Sequence, residues 1–533
     1  FFNTVSWFYK SEDEFKNATE GKLTSVDVGV YYPLKGLSNN EVASLASSQH
    51  LCQGFGRLSV RGNQNEYIEF LRGEKPKDTN DIFSGINTTW NRVKNGGDIG
   101  SILYDIEKNF DFENPAKHLK DLMLAYEKIQ SLEDIHWRQI KQRQISQIIE
   151  ACAGLYLEAS SESSSAVPND LLEVAVEVLN RNSEIPIFLE SISYKSDKIE
   201  NISYDILLEN NVKQQFKKTL NLEKLSYSDP YWLQTEGSLG MYNVNKKTLI
   251  GKPETPRKAV VFFNLLIGTT QITFKKNIIH RYSKRDQGEL YDPFEIVPLV
   301  TTKLNDKVLL FSDAKERTVK VDVRSGANNI KGKLFLKVPK GWKVSPTFID
   351  IEIKEKGDTQ AYQFLITPTI DDSEGTIKAS VIVDGEKFDK ELIEIKYDHI
   401  PKQTVLKKSE AKVVRLNIRK AGNFIGYIKG AGDLIPESLK QIGYSVVMIN
   451  PEDITTEHLK KFDAIVLGIR AYNTLPILKY KQKFLLEYVK NGGNMVVQYN
   501  TSRRVDVAAP FKLNLSRDRV TDENAEVEIL EKS

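Results

Sequence analysis

This chain of 533 residues has little that could crosslink it, anchor it in a bilayer or bind a metal between near neighbours. It has two cysteines, Cys52 and Cys152, far apart and in different expected elements, which excludes a disulfide framework and leaves room for one bridge at most. No run of 18 apolar residues occurs, so no transmembrane span is expected. Lys+Arg of 74 against Asp+Glu of 72 gives a net charge of +2, without the cationic surplus of a nucleic-acid binder. The six histidines, His50, His118, His136, His280, His399 and His458, are scattered, and neither H-x-x-x-H nor C-x-x-C is present. Zinc catalysis needs about three protein ligands around an open position, and no short motif here supplies them. A charged n-region with an apolar core is also missing after Phe1.

What is present reads as a multidomain globular protein. Hydrophobic content of 40% and charged content of 27% are ordinary for a folded chain. At about 150 residues per domain the length suggests three or four domains. In SVDVGVYY, residues 25–32 alternate as a strand, closed by Pro33 and a Gly36 turn. Ser38 with Glu41 is a capping box, so a helix should begin at Asn39, with Val42, Leu45 and Ala46 on one face. Residues 63–160 look helical. Asn114-Pro115 starts one helix, whose stripe is Leu119, Leu122, Met123, Tyr126 and Ile129. The serine-rich residues 160–170, SSESSSAVPND, read as a linker.

From Leu171 the period changes to two. LLEVAVEVLN places Leu172, Val174, Val176 and Val178 on one side, and further strands separated by turns suggest a β-sandwich over residues 168–303. A second set of strands suggests another sandwich over 304–400. Beyond 405 the order becomes βαβα, which implies a parallel sheet. The fold class expected is thus multidomain α/β plus all-β.

Chemistry-bearing candidates are few. His50 and Gln53 lie at the end of the helix that starts at Asn39, before glycines that let backbone approach a ligand. His50 reads either as a satisfied capping histidine or as part of a pocket wall. Residues 422–433, GNFIGYIKGAGD, follow a strand but match neither G-x-G-x-x-G nor G-x-x-x-x-G-K-[ST], so a tight βα turn is favoured over a phosphate cradle. Arg470 follows a buried strand at the sheet end where open α/β folds place ligands, with Asn500 at the neighbouring strand end. The two are candidates for contacting an anion or glycan; the competing reading pairs Arg470 with a carboxylate. Trp90, Asn91, Arg92, Tyr231 and Trp232 have the chemistry for sugar stacking or for core anchoring.

The strand, small-residue helix and H-x-x-Q ending of residues 24–56 resemble the closing part of LmbE/PIG-L-type zinc sugar N-deacetylases. The long bacterial members are the most similar, and TTWNRV (88–93), YWL (231–233) and IGYIKGAGDLIPESLKQIGY (425–444) resemble them too. The resemblance implies that residues 1–62 are the tail of the deacetylase domain and 63–160 a helical region. The two sandwiches would be immunoglobulin-like and residues 405–533 a truncated class I amidotransferase-like or flavodoxin-like domain. It also implies a zinc cofactor whose A-H-P-D-D-E ligand motif lies upstream of Phe1, an N-acetylglucosamine-type glycan as partner, and export to the periplasm or cell surface. His50 and Gln53 would then line the substrate pocket. In the amidotransferase-like fold a nucleophilic cysteine occupies the turn where this chain has Arg470, so thiol catalysis is not expected there. The chain is expected to be a fragment cut at both ends, and inactive alone. The rival expectation is a non-catalytic carbohydrate-binding or scaffolding protein.

Overall fold

The computed structural model describes residues 8–20, 22–50, 53–74, 81–501, 520 and 525–526. The fold is mixed α/β and rich in strand. It divides into two compact units: Phe1–Gly154 with Asn182–Ile185, and Leu155–Arg181 with Pro186–Ser533.

In the first unit, the capping box forms as expected. Ser38 and Glu41 exchange side-chain and backbone hydrogen bonds at the start of the helix Asn39–Ser48. Its apolar stripe, however, faces solvent: Val42 and Leu45 are 41% and 57% exposed, and Ser44 is the buried residue. The expected strand over 25–32 is broken. Leu23–Asp27 pairs with Asn65–Glu69, and Tyr31–Tyr32 forms a separate hairpin with Leu37–Ser38. Gly29 sits at the break, where an added Cβ would lie 2.1 Å from the carbonyl of Gly62. The helical region carries the helices Gly97–Lys108, Leu119–Gln130 and Ile135–Cys152. Leu119, Leu122, Met123, Tyr126 and Ile129 are all buried, as their spacing predicts. Burying such side chains contributes roughly 1.5–3 kcal/mol each. Cys152 is free and buried, and Cys52 lies outside the described residues.

The second unit holds two pairs of sheets and a parallel sheet. One five-stranded sheet is ordered Gln214–Asn221, Leu171–Leu179, Tyr156–Ser161, Ile279–Lys284, Gly288–Pro293. Its companion is ordered Thr270–Asn277, Val260–Ile267, Ile187–Lys195, Ile199–Leu207. Leu172, Val174, Val176 and Val178 point inward and are buried, following the period-two pattern. In the second pair, Val321, Val323 and Phe364 of one sheet share a core with Leu334, Val381 and Val413 of the other. Trp342 packs edge-on to Phe311 in that core, with ring centroids 5.1 Å apart.

Three expectations are corrected here. Residues 160–170 are not a linker: Ser165–Ala166 pairs in parallel with Glu295–Ile296, and Ala166 and Val167 are buried. The strand Val300–Leu304 pairs with Arg317–Ser325 and so belongs with the second pair of sheets, not the first. Glu410–Arg415 pairs with Ser373–Val383, so strands of this second pair continue past residue 405. The parallel sheet starts only at Phe424–Ile428. Its order is Ser445–Met448, Phe424–Ile428, Ala464–Leu467, Asn494–Val497, all parallel. The helices Ile435–Gln441 and Leu478–Lys490 belong to this part of the chain, and Leu485 of the latter is buried with Ile465 and Leu467.

Candidate functional site

His50 and Gln53 come together as a pair. The chain leaves the helix Asn39–Ser48 in a tight turn, with the amides of Gln53 and Gly54 both donating to the His50 carbonyl. This returns the Gln53 side chain to the ring, with Nδ1 of His50 2.7 Å from Oε1 of Gln53. With the amide oxygen accepting, the neutral ring is the Nδ1–H tautomer. Nε2 is then an acceptor that has no partner among the described residues. The pair is exposed and flanked by the Phe55 ring at 5.9 Å.

Arg470 and Asn500 share the carboxyl edge of the parallel sheet, but only one remains available. Arg470 has φ 58 and ψ 22, left-handed backbone in a sharp strand-to-helix elbow between Ala464–Leu467 and Ala471–Thr474. Its amide donates to the Tyr499 carbonyl at 2.6 Å. Asn500 accepts from the Tyr472 amide at 3.2 Å and donates to the Gln498 carbonyl at 2.8 Å, so its side chain is spent on holding the elbow. The Arg470 side chain is exposed and has no carboxylate partner among the described residues, which removes the ion-pair reading. An elbow of this kind exposes a nucleophile in hydrolases; here the residue is an arginine.

The crevice where the strand order reverses, outside Phe424–Ile428 and Ala464–Leu467, is the usual ligand position in such sheets. Here it is closed by protein. Tyr427 donates to Asp433, Gln498 Nε2 donates to the Tyr427 hydroxyl at 2.8 Å, and the Ile469 amide donates to Asp433 at 3.2 Å. Burial, and then the Asp433 carboxylate, push the Tyr427 hydroxyl well above the usual tyrosine range. Burial alone would raise Asp433, but the hydrogen bonds from Tyr427 and from the amides of Ile435 and Ile469 hold it below the usual carboxylate value. A Cβ on Gly430 would lie 2.1 Å from the Ile469 carbonyl, so this glycine serves the approach of one loop to another.

A cavity that local sequence does not announce lies in the same unit. Residues 226–230, 232, 254–259, 294–296 and 403–404 line a space of about 50 Å³. It adjoins a second cavity of about 420 Å³, with Tyr227, Asp229 and Thr255 lining both. Tyr231 is the anchor: 8% exposed, it donates its amide to Thr255 Oγ1 at 2.9 Å and its hydroxyl to the Lys252 carbonyl at 3.1 Å. Trp232 packs edge-on to Tyr231 at 4.8 Å and forms wall, half-buried. Arg257 holds the buried Glu295 at 2.5 Å and reaches Glu254 at 3.4 Å. Burial raises the Asp229 carboxyl, partly offset by the Leu406 amide at 3.1 Å. An indole beside a half-buried carboxyl and a buried ion pair offers an apolar face and directional polar partners, the make-up of a small polar-ligand pocket. In the first unit, by contrast, the Trp90 and Trp137 rings are covered by their own cations: Arg92 lies 4.6 Å from Trp137, and Lys141 5.4 Å from Trp90.

The described residues do not assemble a zinc site. Among the described residues no group of three His, Cys, Asp or Glu could hold a metal ion. His118 accepts the Asp111 amide, and His280 and His458 face backbone carbonyls through Nδ1. No catalytic step is therefore derived through a metal. No helix among the described residues is long and apolar enough to cross a membrane.

No family model and no curated protein matches the chain. Solved structures give partial likenesses. Native Escherichia coli α2-macroglobulin is 9% identical, with 49% of this chain and 16% of that one covered at a TM-score of 0.17. Red sea bream transglutaminase is 10% identical, covering 54% and 36% at a TM-score of 0.21. A family 123 glycoside hydrolase from Clostridium perfringens is 9% identical, covering 33% and 39% at 0.15. The chain thus spans well under half the length of each of these proteins. At such TM-scores the likenesses carry no argument about fold or function.

Proposed function

We propose that this chain is the non-catalytic, glycan-engaging part of a sugar N-deacetylase of the LmbE/PIG-L type. The observation that carries the glycan-engaging part is the Trp232 ring, which borders both the small cavity shared with Asp229 and a more open space of about 510 Å³ lined by residues 232–242: a ring face for the apolar side of a pyranose, with polar groups beside it. The deacetylase assignment rests on the sequence resemblance, and the orientation of His50 is compatible with it. Gln53 fixes the His50 ring so that Nε2 is the open nitrogen, as an orienting partner does for a histidine facing a substrate or metal. Within this reading the two pairs of sheets are immunoglobulin-like modules, and the parallel sheet is an amidotransferase-like domain without its nucleophile. Zinc would be held by residues other than those described, and the protein would work in the periplasm or at the cell surface.

The non-catalytic half of the proposal is supported by Arg470 at the elbow and by the closed crevice beside it. Calorimetric titration of the chain with N-acetylglucosamine oligomers tests the whole. Saturable binding that Trp232→Ala abolishes, with no release of acetate, is the expected result. Acetate release by this chain alone overturns the non-catalytic reading. Absence of binding leaves scaffolding, the second reading, in its place.

A further inference from the structure

The serine run that looks like a linker forms the wall of a different cavity. Ser163, Ser164 and Ser165 face Arg324, Lys356 and Lys402 across about 230 Å³. At roughly 30 Å³ per water, this volume holds several waters or one oxyanion with part of a sugar. Lys402 is only 8% exposed, and its ammonium meets Glu394 at 3.3 Å and Ser164 Oγ at 3.5 Å. Arg324 takes the other oxygen of the same Glu394 at 2.8 Å. Lys356 makes no ion pair within 4 Å among the described residues, although the Asp170 carboxylate is near enough to favour its charge. Its half-buried ammonium donates to Ser163 Oγ at 2.9 Å and to the Ser165 carbonyl at 2.5 Å. The other lining carboxylate, Glu295, is held by Arg257. Even with Asp170 nearby, positive charge is in surplus around a partly open, hydroxyl-lined space. Ammonium groups taken out of water in this way are costly unless an anion compensates them. The surplus of cations argues against a metal ion, and a space of about 230 Å³ is too small for a nucleic-acid strand.

We infer that this cavity is an oxyanion site, taking a phosphate or sulfate group either free or as an ester on a sugar. Lys356 supplies the uncommitted charge, Lys402 and Arg324 the second and third contacts, and the serine hydroxyls the remaining donors. The site rests on its own observations and stands or falls separately from the deacetylase reading.

Titration calorimetry of the whole chain tests it, with sodium phosphate and sodium sulfate compared with sodium chloride at matched ionic strength. Saturable binding of phosphate or sulfate is expected, weakened about tenfold or more by Lys356→Gln and restored by Lys356→Arg. Glucose 6-phosphate binding more tightly than phosphate identifies an esterified ligand; equal affinity identifies the free anion. Heats no different from chloride overturn the site, as does unchanged binding in Lys356→Gln. A measurement without any variant guards against misfolding: acetylation of Lys356 by acetic anhydride, followed by peptide mass mapping. Phosphate should slow this labelling where chloride does not, and equal labelling rates refute the proposal.

Discussion

The Tyr427 hydroxyl sits over the Asp433 carboxylate, 2.6 Å from one oxygen and 2.7 Å from the other. This contact ties the end of a central strand to the loop that would otherwise border an open crevice. Gln498, just beyond the edge strand, donates to the same hydroxyl at 2.8 Å. A Cβ on Gly468 would lie 2.8 Å from that hydroxyl, so the residue before the elbow has to be small. The place where an open α/β sheet normally receives a ligand is thus built as a structural clasp.

Tyr427→Phe removes one hydrogen bond to a charged acceptor and one that Gln498 donates to the hydroxyl. A loss of about 1.5–3 kcal/mol is expected, read from the urea midpoint at constant slope. Asp433→Asn should cost a similar amount at neutral pH. Its deficit should shrink in acid, because the wild-type carboxylate is held below its ordinary value: that stability is present above the unfolded pKa and lost as pH falls through the folded one. A Tyr427→Phe chain as stable as wild type would show that the clasp is dispensable.

Arg470 makes a second prediction through its backbone alone. A left-handed non-glycine residue costs about 1 kcal/mol, and glycine at the same place gives back a similar amount in unfolded-state entropy. Arg470→Gly should therefore stay within about 0.5 kcal/mol of wild type. Arg470→Val, β-branched and ill-suited to φ 58, should lower stability by about 1–2 kcal/mol. Equal thermal midpoints for the two variants would mean that the elbow is not strained.

The neighbours Tyr231 and Trp232 should separate stability from binding. Tyr231 is buried and holds the Thr255 and Lys252 segments together. Its replacement by alanine should cost roughly 3 kcal/mol or more in denaturant melts. Trp232 is half-buried on the cavity wall, so Trp232→Ala should cost much less stability and remove glycan binding. If both variants lost the same stability, Trp232 would be an ordinary core residue.

Local signals were the legible ones. The period-two run through Leu172 and Val178, the Ser38–Glu41 capping box and the stripe from Leu119 to Ile129 depend on neighbours in sequence, and the structure forms each of them. Periodicity identifies a face, not what covers it, which is why Val42 and Leu45 point to solvent. Composition misread residues 160–170, because serines suit a solvated linker and a hydroxyl-lined cavity equally well. The cavity beside Trp232 is assembled from four distant segments, and only the Tyr231-Trp232 pair hinted at it. Asn500 was rightly placed beside Arg470, but a sequence does not show that its amide is already committed to the Tyr472 backbone.

Asp111 gives a prediction that isolates one charge in the first unit. Its carboxylate receives Lys117 Nζ at 2.8 Å and the amides of Glu113 and Asn114 at 3.0 and 3.1 Å, just ahead of the turn Pro115–His118 that leads into the helix Leu119–Gln130. The lysine bond, followed by the two amides, lowers the carboxyl from 3.8 to about 2. A carboxyl depressed in the folded state binds protons more weakly there than in the unfolded chain. Its contribution is complete above the unfolded value near 3.8 and disappears as pH falls towards 2. Asp111→Asn should accordingly be less stable than wild type at pH 6, and the difference should close between about pH 4 and pH 2. Because the site is open to water, high salt should also reduce the difference at pH 6. Paired urea melts at pH 6, 4 and 2.5 provide the measurement. A gap that stayed constant across that range would assign the effect of the substitution to lost backbone contacts rather than to the charge.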